Sequence, residues 1–338
     1  MEYKAAENRY DAMRYARCGS SGLLLPRIAL GFWHNFGDIT PVETQRSILW
    51  AAFDSGITYL DLADNYGPPY GEAERSFGKL LREDFSRYRD ELVIATKAGY
   101  DMWPGPYGNF GSRKHLIAGV DASLKRMGLE YVDIFYHHRP DSDTPLEETC
   151  DALTSIVRQG KALYVGLSNY KPEETRRAAK LLRENHTPCI IHQPIYSMLN
   201  RWIEDGLDKV LLEEGIGCAV FRPLEQGLLT GKYQAGIPED SRMAHDPRFL
   251  KKDVLTNALA AKVAALGRIA AERGQSLARM ALAWVLHNPC VTTALIGASR
   301  ASQIAENVRA LDQLDFTEEE LRRIEAALAG RREENGNA

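Results

Sequence analysis

The sequence has no long apolar run and no excess of charge of either sign. No window approaches the roughly 18 uninterrupted apolar residues of a membrane-spanning helix, and the charged stretch 1–17 lacks the apolar centre of a secretory signal. The 42 Lys and Arg residues nearly balance the 46 Asp and Glu residues, for a net charge of -4, so no basic surface for nucleic acid is indicated. These absences predict a cytoplasmic protein without membrane insertion or a nucleic-acid partner.

Cysteine is also scarce. The five cysteines are odd in number, far apart and never in C-x-x-C spacing: Cys18, Cys150, Cys189, Cys218 and Cys290. Disulfide frameworks and zinc sites need paired or closely spaced ligands. We therefore expect small, buried, reduced thiols.

Short apolar runs alternate with longer segments of helical periodicity from residue 28 to residue 311. The runs predict strands at 27–31, 58–61, 92–96, 132–138, 163–168, 190–194, 218–221 and 293–296. Strands that alternate with helices run parallel, and eight such units predict an α/β fold of the closed (β/α)8 TIM-barrel type. An open doubly wound sheet is the alternative, but no glycine-rich turn follows the first strand.

The segments between the strands predict helices. They lie at 44–54, 72–81, 113–126, 145–157, 172–183, 207–213 and 301–311, with one long helical stretch between 254 and 287. Ser112 stands where a side chain can cap the helix at 113. Two pieces flank the repeat: a hairpin from 15–18 and 23–25 that could plug the bottom of the barrel, and an amphipathic helix from Thr317 with Leu321, Ile324 and Leu328 on one face.

These segments suggest one large domain with short additions. We expect an N-terminal extension at 1–13, the barrel domain at 14–330 and a disordered tail at 331–338. The segment 231–253 contains Pro238 and Pro247 and little periodicity, which is typical of a long functional loop.

The common nucleotide and metal signatures are missing. No G-x-G-x-x-G occurs, and the segment 227–232 resembles a P-loop only superficially, because three residues separate its glycines and Tyr233 follows Lys232. His137 and His138 are adjacent on a predicted strand, so their side chains point to opposite faces and cannot easily share a metal ion. A metal-dependent hydrolase is therefore disfavoured.

Polar residues follow three consecutive predicted strands at the end where barrel enzymes place their chemistry. Asp61 ends the second strand, with Tyr66 in the loop beyond it, while Lys97 and His138 end the third and fourth strands. An ammonium beside a phenol lowers the pKa of the phenol, so we expect Lys97 to tune Tyr66. Asp61 would hold Lys97 in place and His138 would bind a substrate oxygen. Such a set can protonate a forming alkoxide but needs a hydride donor.

These motifs resemble the aldo-keto reductase superfamily over residues 15 to 311. The segment 56–67 resembles its second-strand signature, Thr96 and Lys97 its third-strand end, and 131–140 its fourth-strand end. The resemblance implies a reductase with Asp61, Tyr66, Lys97 and His138 as catalytic residues and Tyr66 as the proton donor. It also implies that NADP(H) binds extended across the barrel mouth without a Rossmann domain.

The same resemblance implies a set of cofactor-binding residues. Ser168, Asn169 and Gln193 match the positions that hold the nicotinamide amide, Phe221 stacks on the ring, and Lys232 suits the pyrophosphate. Ser299, Arg300 and Gln303 match the 2′-phosphate site, and Glu306 and Asn307 match the adenine site. Trp33, Asp61, Arg222, Pro223, Leu224, Gln226 and Gly297 complete the set. Arg222 stands where many relatives have Ser or Thr, and Gly297 where many monomeric members have Lys.

Within the superfamily, the segments 33–37, 65–69, 97–108 and 112–114 resemble bacterial L-glyceraldehyde 3-phosphate reductases, a group related to the β-subunits of voltage-gated potassium channels. This likeness implies reduction of L-glyceraldehyde 3-phosphate and of small aldehydes such as methylglyoxal. It implies a substrate pocket lined by Trp33, Tyr66, Met102, Trp103 and His138. Arg113, Lys114 and Arg139 could meet a substrate phosphate, but we interpret each of them as a solvated charge.

One alternative from another functional class stays open. The channel likeness also suggests an NADP(H)-binding regulatory subunit and a homo-oligomer. His138 favours turnover, because the channel subunits often carry Asn at the matching position.

Overall fold

In the computed structural model, the described residues are 3–233, 237 and 252–329. Eight parallel strands form a closed barrel in which each strand pairs with the next along the chain and the last pairs with the first. The predicted (β/α)8 barrel is therefore confirmed. Most of the predicted loop 231–253 and the predicted tail 331–338 lie outside the described residues.

The barrel strands lie within two residues of their predicted ends. They are β3 (Ile28–Gly31), β4 (Tyr59–Asp61), β5 (Val93–Ala98), β6 (Val132–His137), β7 (Ala162–Ser168), β8 (Cys189–Gln193), β9 (Gly217–Val220) and β10 (Thr293–Ile296). The largest difference is at β5, which runs two residues further than predicted, to Ala98. Lys97 therefore lies inside the strand, where its backbone is fixed by pairing with Tyr136 of β6.

Helices cover the outside of the barrel. They are α1 (Val42–Asp54), α2 (Glu72–Leu80), α3 (Arg113–Met127), α4 (Leu146–Arg158), α5 (Pro172–Glu184), α6 (Leu207–Glu214), α7 (Asn257–Glu272), α8 (Leu277–His287), α9 (Ala301–Val308) and α10 (Glu318–Ala329). The long stretch predicted between 254 and 287 is two helices, because Gly274 turns the chain with a φ of 68° and Ser276 caps α8. Ser112 caps α3 by accepting a hydrogen bond from the N–H of His115, as predicted.

The amino-terminal end of the barrel is closed by a hairpin. Strands β1 (Tyr15–Arg17) and β2 (Leu24–Pro26) pair antiparallel, and Leu25 is fully buried in the cluster that fills the barrel interior. At the turn, the N–H of Ser20 donates to the carbonyl of Gly215, 2.8 Å away. The predicted plug is thus present, and it leaves the carboxyl ends of the strands as the open mouth.

The remaining segments pack on the outside. Tyr3 stacks on Trp50 of α1 with ring centroids 4.9 Å apart, and Ile324 of α10 is fully buried against the barrel helices. The assignment of 1–13 as an extension and 14–330 as the domain stays a prediction. All five cysteines are buried and unpaired, as expected. Every helix among the described residues is too short or too polar to span a membrane.

Candidate active site

Asp61 and Lys97 form a buried ion pair at the mouth of the barrel. The Nζ of Lys97 donates to the Oδ2 of Asp61 over 2.6 Å and to the backbone carbonyl of Leu62 over 2.7 Å. Both side chains are almost completely excluded from solvent. The carboxyl ends of β4 and β5 place them side by side because these strands are neighbours in the barrel.

Tyr66 and His138 complete the predicted group of four. The third hydrogen bond of the Lys97 ammonium goes to the hydroxyl of Tyr66, 3.3 Å away. The rings of Tyr66 and His138 meet edge to face with centroids 5.9 Å apart. Tyr66 is half-buried, so its hydroxyl lies at the boundary between the buried ion pair and the open mouth. The four residues are thus brought together in one place.

The protonation state of Tyr66 differs from the expectation. Burial raises the pKa of Tyr66 well above its ordinary value, the nearby Asp61 adds to this, and Arg222 acts in the opposite direction. The prediction that the phenol has a lowered pKa is therefore wrong, because desolvation of the phenol and the charge of Asp61 raise the pKa. The phenol stays protonated at neutral pH, which is the form that a proton donor requires.

The imidazole of His138 is held neutral. Burial lowers the pKa of His138 well below its ordinary value, and Lys97, His137 and Arg139 act in the same direction. Its neighbour His137 points the other way, as strand alternation predicted, and its Nδ1 lies 2.6 Å from the hydroxyl of Tyr170. Only His138 therefore faces Tyr66, and a neutral ring can donate a hydrogen bond to a carbonyl oxygen without adding charge.

Three polar side chains at the ends of β7 and β8 lie against this group. The Nε2 of Gln193 donates to the Oδ1 of Asp61 over 2.7 Å, and the hydroxyl of Ser168 donates to the backbone carbonyl of Gln193 over 2.8 Å. Asn169 donates to the backbone carbonyl of His138 and to the hydroxyl of Ser168, both over 3.1 Å. The amide-binding residues that the resemblance implied are thus connected to the catalytic candidates.

The segment after β9 presents an aromatic ring and a cation. Phe221 packs partly exposed on the interior cluster, and the guanidinium of Arg222 lies 5.2 Å from the ring centre of Trp33. Arg222 has a φ of 55° and Gln226 a φ of 54°, which non-glycine residues seldom adopt. Pro223 is buried and Leu224 half-buried, while Lys232 is exposed with its Nζ 5.1 Å from the ring centre of Tyr233.

The predicted phosphate and adenine residues surround the start of α9. Ser299 donates its backbone N–H to the Oε1 of Gln303 over 2.8 Å, and Arg300 is exposed just before the helix. Glu306 is ion-paired with Arg279 of α8 over 2.7 Å, so its carboxylate is already engaged. Gly297 and Ser299 are exposed and Asn307 is buried.

The loop after β5 carries Met102 and Trp103, whose place in a substrate pocket stays a prediction. Met102 is half-buried, and the exposed Trp103 packs on His115 with ring centroids 5.1 Å apart. Tyr100 was missed, yet its ring meets the His138 ring edge to face at 4.6 Å. The sequence could have indicated this contact, because Tyr100 lies only three residues after Lys97.

Arg139 is held in place by this loop. It is half-buried, stacks over Tyr100 at 4.2 Å and donates to the carbonyl of Gly99 over 3.0 Å. The interpretation of Arg139 as a solvated charge is therefore wrong. Arg113 and Lys114 are exposed as expected.

The mouth fits a nicotinamide dinucleotide. The partly exposed Phe221 ring offers an apolar platform, and its backbone N–H donates to the carbonyl of Pro194, the residue after Gln193, over 3.0 Å. A Cβ added at Gly297 would meet no atom nearer than 4.0 Å, so the backbone there is open to close approach. Arg300 before α9 supplies a cation and the helix start supplies backbone N–H groups for an anionic end.

Comparisons with known proteins agree with this geometry. The model of the aldo/keto reductase family matches residues 27–329. The chain is 57% identical over 333 residues to the L-glyceraldehyde 3-phosphate reductase of Escherichia coli strain K12, covering 97% of this chain and 96% of that protein. It is 39% identical over 306 residues to a probable voltage-gated potassium channel subunit beta of Arabidopsis thaliana, covering 89% of this chain and 92% of that protein.

Proposed function

The chain belongs to the aldo/keto reductase family, and on that premise we propose that it is an NADPH-dependent reductase of small aldehydes. The proposed substrates are L-glyceraldehyde 3-phosphate and methylglyoxal-like carbonyls, so that removal of reactive aldehydes is one expected role. The observation that carries the proposal is the ammonium of Lys97, which bonds both Asp61 and Tyr66 beside the neutral ring of His138.

Each of the four residues has a distinct role in the proposed reaction. His138 donates a hydrogen bond to the carbonyl oxygen and orients it toward Tyr66. Tyr66 gives its hydroxyl proton to that oxygen as the carbonyl carbon is reduced. Lys97 stabilises the phenolate left behind, and Asp61 keeps the buried ammonium in place. The products are an alcohol and a tyrosinate that takes its proton back from solvent.

The remaining residues hold the cofactor, which when bound supplies the hydride that the protein lacks. Ser168, Asn169 and Gln193 would bind the carboxamide, Phe221 would support the ring, and Lys232 would bind the pyrophosphate. Trp33, Pro223, Leu224 and Gln226 line the path toward Gly297. Ser299, Arg300 and Gln303 bind the 2′-phosphate, which favours NADPH over NADH because a guanidinium pairs well with a phosphate. Asn307 and Glu306 border the adenine.

A regulatory subunit that binds NADP(H) is the second candidate. It rests on the relatives named as potassium channel subunits, which are more distant, at 39% identity for the Arabidopsis thaliana protein against 57% for the reductase. The complete group of Asp61, Tyr66, Lys97 and His138 favours turnover. The proposal includes a cytoplasmic location, supported by five unpaired cysteines, and a homo-oligomer, supported only by the channel likeness.

The test is consumption of NADPH by the purified full chain. Absorbance of the reduced nicotinamide is followed with L-glyceraldehyde 3-phosphate, methylglyoxal and a simple ketone as substrates, each repeated with NADH. We expect the aldehydes to be reduced with NADPH more efficiently than with NADH. Tight binding of NADPH without turnover of any aldehyde would favour the regulatory subunit instead.

A further inference from the structure

The proposed reaction gives no role to Arg139, the residue that follows His138 beyond the end of β6. Its half-buried side chain reaches into the loop 99–111, which connects β5 to α3. There the guanidinium lies over two aromatic rings, 4.2 Å from the ring centre of Tyr100 and 4.8 Å from that of Phe110. Ring faces attract a cation, most strongly where water is partly excluded. Arg139 is therefore held against both of these rings.

Hydrogen bonds from the same guanidinium join the two ends of the loop. Its Nε donates to the carbonyl of Gly99 over 3.0 Å, and its Nη2 donates to the Oδ1 of Asn109 over 2.8 Å. That amide oxygen also accepts the backbone N–H of Phe110 over 2.8 Å, while the Nδ2 of Asn109 donates to Asp101 over 2.6 Å. The planar fork of an arginine reaches both partners at once, and a lysine ammonium does not reproduce this geometry.

Tyr100 connects this arrangement to His138. The rings of the two residues meet edge to face with centroids 4.6 Å apart. The Nδ1 of His138 is buried and has no hydrogen-bond partner in the part of the chain that the structure describes. Without such a bond, the plane of the imidazole depends on the rings that pack against it, among them Tyr100 and the more distant Tyr66 at 5.9 Å.

Other bonds hold the loop without Arg139. The N–H of Gly111 donates to the Oδ2 of Asp141 over 2.8 Å, and the N–H of Met102 donates to the carbonyl of Gly108 over 2.9 Å. Replacing Arg139 therefore leaves the end of the loop attached and its turn closed. What the replacement removes is the restraint on the first residues of the loop, where Tyr100 lies.

We propose that Arg139 is a positioning residue for the reduction, which holds Tyr100 against His138 and so fixes the direction in which the imidazole donates to the substrate carbonyl. This inference rests on the proposed function and deepens it. A hydrogen bond weakens steeply as its angle departs from linear, so an imidazole free to turn would hold the carbonyl less well in line with Tyr66. Burial is the main cause of the lowered pKa of His138, and the positive charge of Arg139 acts in the same direction.

The experiment compares variants that remove different parts of this arrangement. Steady-state kinetics with L-glyceraldehyde 3-phosphate and saturating NADPH are measured for the full chain and for R139M, R139K, Y100L and the double variant R139M/Y100L. R89M is the matched control, because Arg89 is also half-buried and lies over a tyrosine ring, 4.5 Å from the ring centre of Tyr131, but near the start of β5 and β6, away from the mouth. NADPH binding is measured by quenching of tryptophan fluorescence, and stability by thermal unfolding.

We expect R139M and Y100L each to lower kcat about tenfold to a hundredfold, since a misplacement of about 1 Å can cost about a hundredfold. The double variant should lose little more than either single variant, because both substitutions act through one contact. R139K keeps the charge without the fork and should show most of the loss. NADPH binding should be unchanged, and R89M should lower thermal stability but not kcat.

Three results would overturn the inference. They are a wild-type kcat in R139M, losses that multiply in the double variant, and full recovery in R139K, which would assign the effect to charge alone. If R139M does not fold, N109A removes only one acceptor of the guanidinium and should show a smaller loss of kcat in the same direction. An unchanged kcat in N109A then counts against the inference.

A second measurement separates this inference from the proposed function. The eight histidines are labelled with ¹³C at Cε1, and the NMR signal of His138 is identified by its absence in H138Q. Loss of the ring contact should move this signal in R139M and in Y100L but not in R89M. If the wild type reduces no aldehyde and the signal moves in this way, the proposed function fails and the positioning of His138 by Arg139 stands. A His138 signal that is unchanged in R139M overturns the inference, whatever activity the wild type has.

Discussion

The Nε2 of Gln193 donates a 2.7 Å hydrogen bond to the Oδ1 of Asp61, although the two residues lie 132 positions apart in the chain. The other carboxylate oxygen accepts from Lys97 over 2.6 Å. Asp61 is thus held on both sides, by a neutral amide that we assign to the cofactor site and by the ammonium that reaches Tyr66. The cofactor and proton-transfer halves of the site share this one carboxylate.

Replacing Asp61 by Asn should harm both stability and activity. D61N leaves the fully buried Lys97 without its anionic partner, and breaking a buried pair in this way costs about 3 to 5 kcal/mol. Q193M is the matched comparison, since it removes a hydrogen bond to the same carboxylate but no charge and should cost only about 1 to 2 kcal/mol. Chemical denaturation of both variants, with kcat/KM alongside, checks the difference. Equal losses of stability would mean that the charge of Asp61 does not matter.

Replacing Tyr66 by Phe removes the proposed proton donor and little else. We expect Y66F to lose about 10²- to 10⁴-fold in kcat, the usual contribution of general acid catalysis, with NADPH affinity nearly unchanged. Burial raises the pKa of Tyr66, so the wild type should hold its rate up to about pH 10, the ordinary phenol value, and lose it only above the raised pKa. Turnover retained by Y66F would exclude this role, and a wild-type rate that falls near neutral pH would show that another group titrates.

Much of the site could be predicted from the sequence because its parts follow from strand alternation. A parallel barrel brings the carboxyl ends of its strands to one mouth, so polar residues at the ends of three consecutive strands must meet there. His137 and His138 could be assigned to opposite faces for the same reason. Asp61, Lys97 and His138 can therefore be recognised as candidate site residues from the sequence alone.

Other features depend on packing between distant residues. The raised pKa of Tyr66 reflects burial and the charge of Asp61, which residue types alone do not report. The contact of Tyr100 with His138 depends on the path of the loop after β5. The pairing of Glu306 with Arg279 requires α8 and α9 to be neighbours, and the division between α7 and α8 depends on the left-handed turn at Gly274.

Arg300 should set the preference between the two nicotinamide cofactors. R300Q removes an exposed cation before α9 and is expected to weaken NADPH by about 1 to 3 kcal/mol, as for a hydrogen bond to a charged group. NADH lacks the 2′-phosphate and should bind almost as before. Dissociation constants for both cofactors check this result. Parallel weakening of NADPH and NADH would contradict recognition of the 2′-phosphate by Arg300.

Asp64 should make stability depend on pH. It is fully buried, and neither carboxylate oxygen has a hydrogen-bond partner among the described residues. Burial raises the pKa of Asp64 well above its ordinary value, and the charge of Glu74 adds to this. A raised folded-state pKa stabilises the protein below the unfolded-state value of about 3.9, and this contribution is lost as the pH rises through the folded value.

The variant D64N tests the direction of this pH dependence, because asparagine does not titrate. At pH 7 we expect D64N to be more stable than the wild type, because the asparagine has no charge to bury whereas ionisation of Asp64 favours the unfolded chain. The difference should shrink as the pH falls toward 4. Thermal unfolding of both proteins across that range measures it, and an advantage that grows on acidification would show that Asp64 is charged in the fold.

The barrel interior contains a pair of hydroxyls that depend on each other. The hydroxyls of Tyr59 and Tyr136 lie 2.7 Å apart and both side chains are fully buried. Y136F leaves the Tyr59 hydroxyl in an apolar interior without this partner, which should cost about 1 to 3 kcal/mol. In the double variant Y59F/Y136F both hydroxyls are gone, so the second substitution should cost less than either does alone, or even restore stability. Denaturation midpoints of the four proteins form the complete cycle, and simple additivity would mean that the two hydroxyls do not stabilise each other.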